Sequence, residues 1–166
     1  MVGPARWAAM TAADIDAIFA IAEVVHPAYP EDRAVMAERL ALYPAGCLVL
    51  RRGEEVIGYA LSHPWAQNDA PPLNTLLGAL PERAEVYYIH DLALLPEARG
   101  LRAGEAAVRR LAEHARALGL AHMALVAVND SGGFWRGQGF VVENSPALAR
   151  KLVSYDADAA YMTRVL

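Results

Sequence analysis

From Glu85 to Leu118 the chain reads as strand, turn and helix in immediate succession, and this unit constrains the fold more than any other. The stretch "EVYYIHDLALL" is apolar at nearly every position. That is the pattern of a strand covered on both faces rather than one open to water. Pro96 ends it, because proline has no N–H with which to continue a ladder. Beyond the turn, Ala107, Leu111, Ala115 and Leu118 recur at helical spacing, while Arg102, Glu105, Arg109, Glu113 and Arg116 take the other faces. An amphipathic helix is predicted from about Leu101 to Leu118, closed by Gly119. A strand buried on both sides needs cover on both sides, so the prediction is an α/β chain with helices on the faces of a mixed sheet.

The flanking segments fit that layout. Thr11 and Asp14 resemble a capping box, and Ile15, Ile18, Phe19, Ala22 and Val25 follow with helical period. The prolines of "HPAYPEDRA" end this helix, and a shorter one is predicted around Val35 to Leu42. "GCLVL" and "EEVIGYALS" read as strands joined by a tight hairpin, and Gly58 marks a bulge or a close backbone approach. Pro64 to Arg83 reads as a long excursion, with room for a helical turn or two at Leu73 to Leu80. After the central unit come a strand "AHMALVAV", a short helix "GGFWRGQG" and strands at "FVVEN" and "AAYMTRVL". No repeat divides the 166 residues, which are expected to form a single domain, 1–166.

Composition excludes several classes. Apolar residues make up 55% and charged residues 20%, which argues against a disordered chain. A net charge of -4 argues against a nucleic-acid surface and tilts towards neutral or cationic partners. Cys47 is the only cysteine, so neither a disulfide framework nor a cysteine-built zinc site is available, and its apolar neighbours read as a buried thiol. No apolar run reaches the roughly 18 residues of a membrane span, so a cytoplasmic chain without membrane partner is expected. The apolar content leaves room for a homodimer.

The turn "LLPEARGLRAGEAAV" carries the candidate chemistry. A helix beginning just after a strand aims unpaired amides and the positive end of its dipole at whatever lies before it. Gly100 and Gly104 keep side chains out of the way, while Arg99 and Arg102 add charge. Neither a P-loop nor a dinucleotide-binding glycine pattern is present. From the residues alone, an anion site and a plain helix start both remain open.

The order "IHDLALLPEARGLRAG", "LVAVNDSGGFWRGQGF", "AAYMTRVL" resembles the GNAT family of acetyl-CoA-dependent N-acetyltransferases along nearly the whole chain, best from Val86 to Phe140. The resemblance implies a mixed, mostly antiparallel twisted sheet of about six or seven strands, flanked by about four helices, with the fourth and fifth strands splayed. It implies transfer of an acetyl group from acetyl-CoA directly to a primary amine of a small molecule or peptide, without metal. The family's Arg/Gln-x-x-Gly-x-Gly/Ala pattern falls on Arg99, Arg102 and Gly104. Gly100, Leu101, Ala103 and Glu105 complete a turn whose amides would hold the coenzyme pyrophosphate. Arg102 departs from the expected glycine: either its side chain points away while its amide still donates, or it weakens the site. The backbone of Leu92, Ala93 and Leu94 would pair with the pantetheine arm. Asn129 matches an asparagine that contacts the coenzyme, with a plain turn role as the alternative. Phe134 and Trp135 belong to the coenzyme side.

The reaction needs a neutral amine and a route for the departing thiolate. His90 and Asp91 are the candidate catalytic residues, and in a regular strand only one of them faces the cleft, unless a bulge changes the phase. The resemblance gives a histidine at position 90 the role of base, while a sheet-held histidine remains its structural alternative. Trp135 stands where the family often has an acidic tyrosine, and an indole N–H is no useful acid. Tyr88 and Tyr155 are the candidate replacements, and Trp65 and Tyr29 candidates for the acceptor side. The departures at Arg102 and Trp135 keep one alternative open: an acyl-CoA-binding module without catalysis.

Overall fold

The computed structural model describes residues 3–155 and 157–166. Among these residues seven strands form one sheet in the order β1-β2-β3-β4-β5-β7-β6: β1 (Ala5–Ala9), β2 (Cys47–Arg52), β3 (Glu55–Trp65), β4 (Val86–Leu94), β5 (His122–Ala127), β6 (Val141–Val142) and β7 (Ala160–Val165). Every neighbouring pair is antiparallel except β4 with β5. Among the described residues five α-helices accompany it: α1 (Ile15–Val25), α2 (Arg33–Leu42), α3 (Ala103–Ala117), α4 (Gly132–Gly137) and α5 (Pro146–Lys151).

The two faces follow from the period-2 alternation of the strands. Tyr87, Ile89, Met123 and Leu125 pack against Val108, Leu111, Ala112 and Ala115 of α3, with Trp135 and Phe140 closing the end. On the opposite face, Val49, Tyr59, Leu61 and Ala93 pack against Ile18 and Ile21 of α1 and Met36 of α2. Val86, Tyr88, Ala124 and Tyr161 share that opposite side with Leu148 of α5. β4 is thus buried from above and below, as its apolar run requires.

Several expectations change. β1 and α5 were not anticipated: "ARWAA" is a five-residue edge strand, and α5 is a six-residue helix whose Ser145 side chain accepts the amide of Leu148. The helix expected from Leu101 begins at Ala103, because Arg102 sits in a left-handed conformation that a helix cannot continue. β3 runs on through Pro64 to Trp65, into what reads as loop, and the rest of the excursion has no helical turn. The excursion is pinned instead. The Glu38 carboxylate accepts the amides of Leu77 and Gly78 at 2.6 and 2.9 Å, and Arg39, buried beside it, donates to Glu38 and to the carbonyl of Thr75. Gly58 fulfils its reading, since a Cβ there would meet Leu94 at 2.7 Å, and the β2–β3 register shifts beside it. Among the described residues no helix is long and apolar enough to cross a membrane.

Candidate active site

Two irregularities of β4 build the site. The first is its parting from β5. The two strands pair only at Tyr87↔Met123, Tyr88↔Ala124 and Ile89↔Leu125, after which β4 continues to Leu94 paired with β3 alone. A cleft of about 290 Å³ opens in the fork, lined by Leu92, Leu94, Arg99, Gly104, Asn129 and Phe134 among others. The second is a bulge. Leu61 lies opposite Asp91 but Ser62 lies opposite Ile89, so His90 is an extra residue in β4.

That bulge settles which way His90 and Asp91 face. The strand's phase changes at His90, and both side chains turn to the α1–α2 side. His90 Nε2 lies 2.7 Å from Glu31 Oε1, and Asp91 Oδ1 lies 2.8 Å from His26 Nε2. Tyr59 donates its hydroxyl to the other Asp91 oxygen at 2.5 Å. In a regular strand only one of the pair would face this way, and the bulge is the exception to that rule that a change of phase allows. Burial alone would push the Asp91 carboxyl up, but the His26 ring and the Tyr59 hydroxyl outweigh it and hold it below the ordinary range. Burial would likewise push His26 down, and the Asp91 carboxylate, helped by Glu31, more than reverses this. Glu31 is also held low, against its burial, by His90.

A second cavity of about 430 Å³ lies behind this pair, lined by Phe19, Glu23, Tyr29, Glu31, Asp32 and Asn74. His26 and Asp91 line both cavities and form the wall between them. His26, Glu31 and Tyr59 were missed in the sequence. The available signal was a histidine one residue beyond a helix, locked between that helix and a proline, with a carboxylate five residues later.

At the other end of the cleft, α3 presents its first turn. The amides of Ala103, Gly104 and Glu105 precede the first intrahelical bond, which runs from Ala106 to the Arg102 carbonyl at 3.1 Å. Trp7 of β1 ties this turn down by donating its indole N–H to the Ala103 carbonyl. Gly104 is placed where a Cβ would come within 3.1 Å of the Phe134 ring. Gly100 has φ +82°, and Arg102, at φ +56°, occupies the left-handed region that glycine enters freely and arginine does not. The backbone therefore explains why the resemblance expects glycine at 102. The Arg102 side chain is exposed and does not line the cleft. Its penalty is conformational, so Arg102→Gly is expected to stabilise the fold by about 1 kcal/mol. Thermal unfolding should register this as a rise of about 2–4 °C in Tm. An unchanged or lower Tm would show that the arginine side chain compensates for its backbone.

The other expected coenzyme residues divide. Leu92, Leu94, Arg99, Asn129, Phe134 and Trp135 line the cleft. Ala93 points into the opposite core, Ala103 is buried against Leu50 and Ile57, and Gly100, Leu101 and Glu105 lie outside the lining. Asn129 does not cap its own turn: its Nδ2 donates to His26 Nδ1 at 2.7 Å and reaches the Val25 carbonyl at 3.4 Å, across the fork. Trp135 is buried, edge-on between Phe134 and Phe140. Tyr88 is fully buried and Tyr155 donates to the Pro71 carbonyl; neither lines the cleft, and burial raises both phenols. Burial also pushes the Cys47 thiol up to about 12. Tyr29 lines the second cavity, while Trp65 packs against His63 and the α5 side.

The comparisons agree with this layout. Among curated proteins, no sequence matches the chain. Among solved structures, Ard1 from Thermoplasma volcanium superposes with a TM-score of 0.76 at 16% identity, covering 99% of both chains. The GphF GNAT-like decarboxylase in complex with isobutyryl-CoA gives 0.79 at 18%, covering 96% of this chain and 98% of its own. Arabidopsis thaliana Naa50, in complex with the bisubstrate analogue CoA-Ac-MVNAL, gives 0.74 at 10%, covering 99% and 100%. These establish the fold. The model of the Acetyltransferase (GNAT) family matches residues 13–140, from the start of the first helix to the end of the α4 turn, and on that match the chain belongs to the GNAT acetyltransferase family.

Proposed function

We propose that this chain is an acetyl-CoA-dependent N-acetyltransferase that passes the acetyl group directly to a primary amine of a small molecule or peptide. The observation that carries the reading is the fork between β4 and β5, which runs from the open amides of α3 at one end to the His26–Asp91 wall at the other. In this reading the unpaired β4 edge at Leu92, Ala93 and Leu94 takes the pantetheine arm as an added strand would be taken. The pyrophosphate lies on the Gly100–Glu105 turn, where the dipole of the 15-residue α3, Arg99 and Arg102 favour negative charge. Phe134 and Trp135 close the apolar side. The acceptor enters by the second cavity, whose Glu23, Glu31, Asp32 and Asp91 favour a cationic amine. His90 and Asp91 hold the proton-handling end of the cleft. Complexes of related folds support the choice of substrates: one is described with coenzyme A and N-acetyl-glutamate and another with a coenzyme A–peptide analogue.

Acetyl-CoA at about 1 mM should raise the Tm by several degrees, because it binds the folded state alone. Thiol release should then appear when a panel of primary amines is added. Absence of a Tm rise would overturn the coenzyme reading. A Tm rise without amine-dependent thiol release would leave an acyl-CoA-binding module.

A further inference from the structure

Three observations converge on one side chain in the wall between the cavities. His26 and Asp91 are the residues common to the linings of the coenzyme cleft and the acceptor cavity, whereas His90 lines the cleft alone. The His90 side chain is 2% exposed and tied to Glu31, while that of His26 is 13% exposed. The partners of His26 also define its proton. Asn129 Nδ2 is oriented by the Val25 carbonyl, so it donates to Nδ1, and the ring proton sits on Nε2, donated to Asp91. Neutral His26 thus holds a lone pair on Nδ1, met at 2.7 Å by an N–H at the mouth of the cleft. An acceptor nitrogen that reaches this lone pair takes the place of the Asn129 amide nitrogen.

We infer that His26, not His90, is the general base of the transfer, that it also returns the proton to the departing sulfur, and that Asp91 is its positioning residue. This rests on the acetyltransferase reading above. The acceptor that enters as an ammonium ion first releases one proton to solvent, and as the neutral amine nitrogen then bonds to the thioester carbon it sheds a second proton to Nδ1. The carbon–sulfur bond then breaks, the electron pair leaves on sulfur, and the imidazolium gives its proton to the thiolate. Amine and thioester become amide and thiol with no net change in protons. One group working in both directions also accounts for Trp135, since a site with a returning imidazolium needs no tyrosine acid on α4. The charge around His26 suits the task. Asp91 of β4 and Glu31 of the α1–α2 loop face it, Tyr59 of β3 bonds the same carboxylate, His90 adjoins it, and Glu23 and Asp32 line the cavity beyond. Together they keep a buried imidazole basic enough to accept a proton near neutral pH.

The test uses His26→Gln, which keeps an amide able to bond Asp91 but carries no titratable proton. With the panel amine that the wild-type protein acetylates fastest, kcat should fall at least about a hundredfold. The acidic limb of kcat against pH should vanish, while the acetyl-CoA-induced Tm rise persists. A His26→Gln variant that keeps kcat within about threefold and retains the limb overturns the assignment. So does loss of the limb in His90→Gln with its retention in His26→Gln. If His26→Gln gives no acetyl-CoA-induced Tm rise, its fold is compromised, and NMR titration of the imidazoles in the wild-type protein decides. A kinetic limb that coincides with His26 supports the role, and one that does not overturns it. Wild-type protein that binds acetyl-CoA yet releases no thiol with any amine sinks the acetyltransferase reading itself, a result distinct from an active wild type with an equally active His26→Gln.

Discussion

Asp91→Asn is expected to lower kcat by about a thousandfold while leaving the KM for acetyl-CoA nearly unchanged. Both Asp91 oxygens accept: one takes the Nε2–H of His26 and the other the hydroxyl of Tyr59. An asparagine offers one oxygen and one NH2, so one of those donors now meets a donor. If the NH2 faces His26, the ring proton moves to Nδ1 and the basic lone pair is lost. If it faces Tyr59, the His26 bond survives without its charge. In either arrangement the main influence that lifts the His26 pKa is gone and only the weaker pull of Glu31 opposes burial, so any remaining acidic limb moves to lower pH.

The same change has a signature in stability. Asp91 is held low, so its contribution is present above the ordinary carboxylate value of 3.8 and is lost as pH falls through its folded value. His26 is held high, so its contribution is full below the ordinary imidazole value of 6.5 and is lost as pH rises through its folded value. The deficit of Asp91→Asn against wild type is therefore largest between about pH 4 and 6.5 and shrinks on both sides. Steady-state rates and denaturant unfolding across pH check the two halves. Unaltered kcat would remove Asp91 from the mechanism, and a deficit independent of pH would show that the pair is not ionised.

Gly46→Ala is expected to destabilise the protein by about 3 kcal/mol and lower the Tm by about 6–12 °C. Gly46 lies at the entry to β2, where its carbonyl accepts the Ser62 hydroxyl at 2.7 Å, and Ser62 in turn bonds the Tyr87 hydroxyl at 2.7 Å. An added Cβ would stand 2.1 Å from the Ser62 carbonyl oxygen and 2.7 Å from the Tyr87 hydroxyl. Backbone cannot yield as a flexible side chain can, so β2 must withdraw from β3 and break a buried hydrogen-bonded chain. A Tm loss of less than about 2 °C would show that the strand entry relaxes freely.

The sequence makes the scaffold of this site legible and hides its working pair. The strand of Tyr87 to Leu94, the α3 repeat and the glycine turn all declare themselves by local pattern, because period and turn chemistry are local properties. The bulge does not. "YYIHDLALL" carries no glycine or proline to mark an extra residue, and its apolar run reads alike in either phase. His26 to Asp91 and Tyr59 to Asp91 are contacts across 65 and 32 residues, so neither partner announces the other. β1 is too short for a period, and α5, despite the Ser145–Pro146 start signal, spans six residues in which no helical stripe can establish itself. Arg102 was visible as a departure, but whether it would obstruct or merely strain depended on the sign of one torsion angle.

The extra residue in β4 makes the site a matter of counting as much as of chemistry. Excising His90 alone would restore strict alternation yet leave Asp91 facing His26 and Leu92 facing α3, because the residue removed is the one that β3 leaves unpaired, and only the tie to Glu31 would be lost. A single amino-acid exchange within the strand cannot produce that regular ladder, since every replacement keeps the count. Lineages that lose this residue would therefore keep the His26–Asp91 axis while shedding the histidine beside it, whereas lineages that only substitute residues would keep the bulge and vary what it carries.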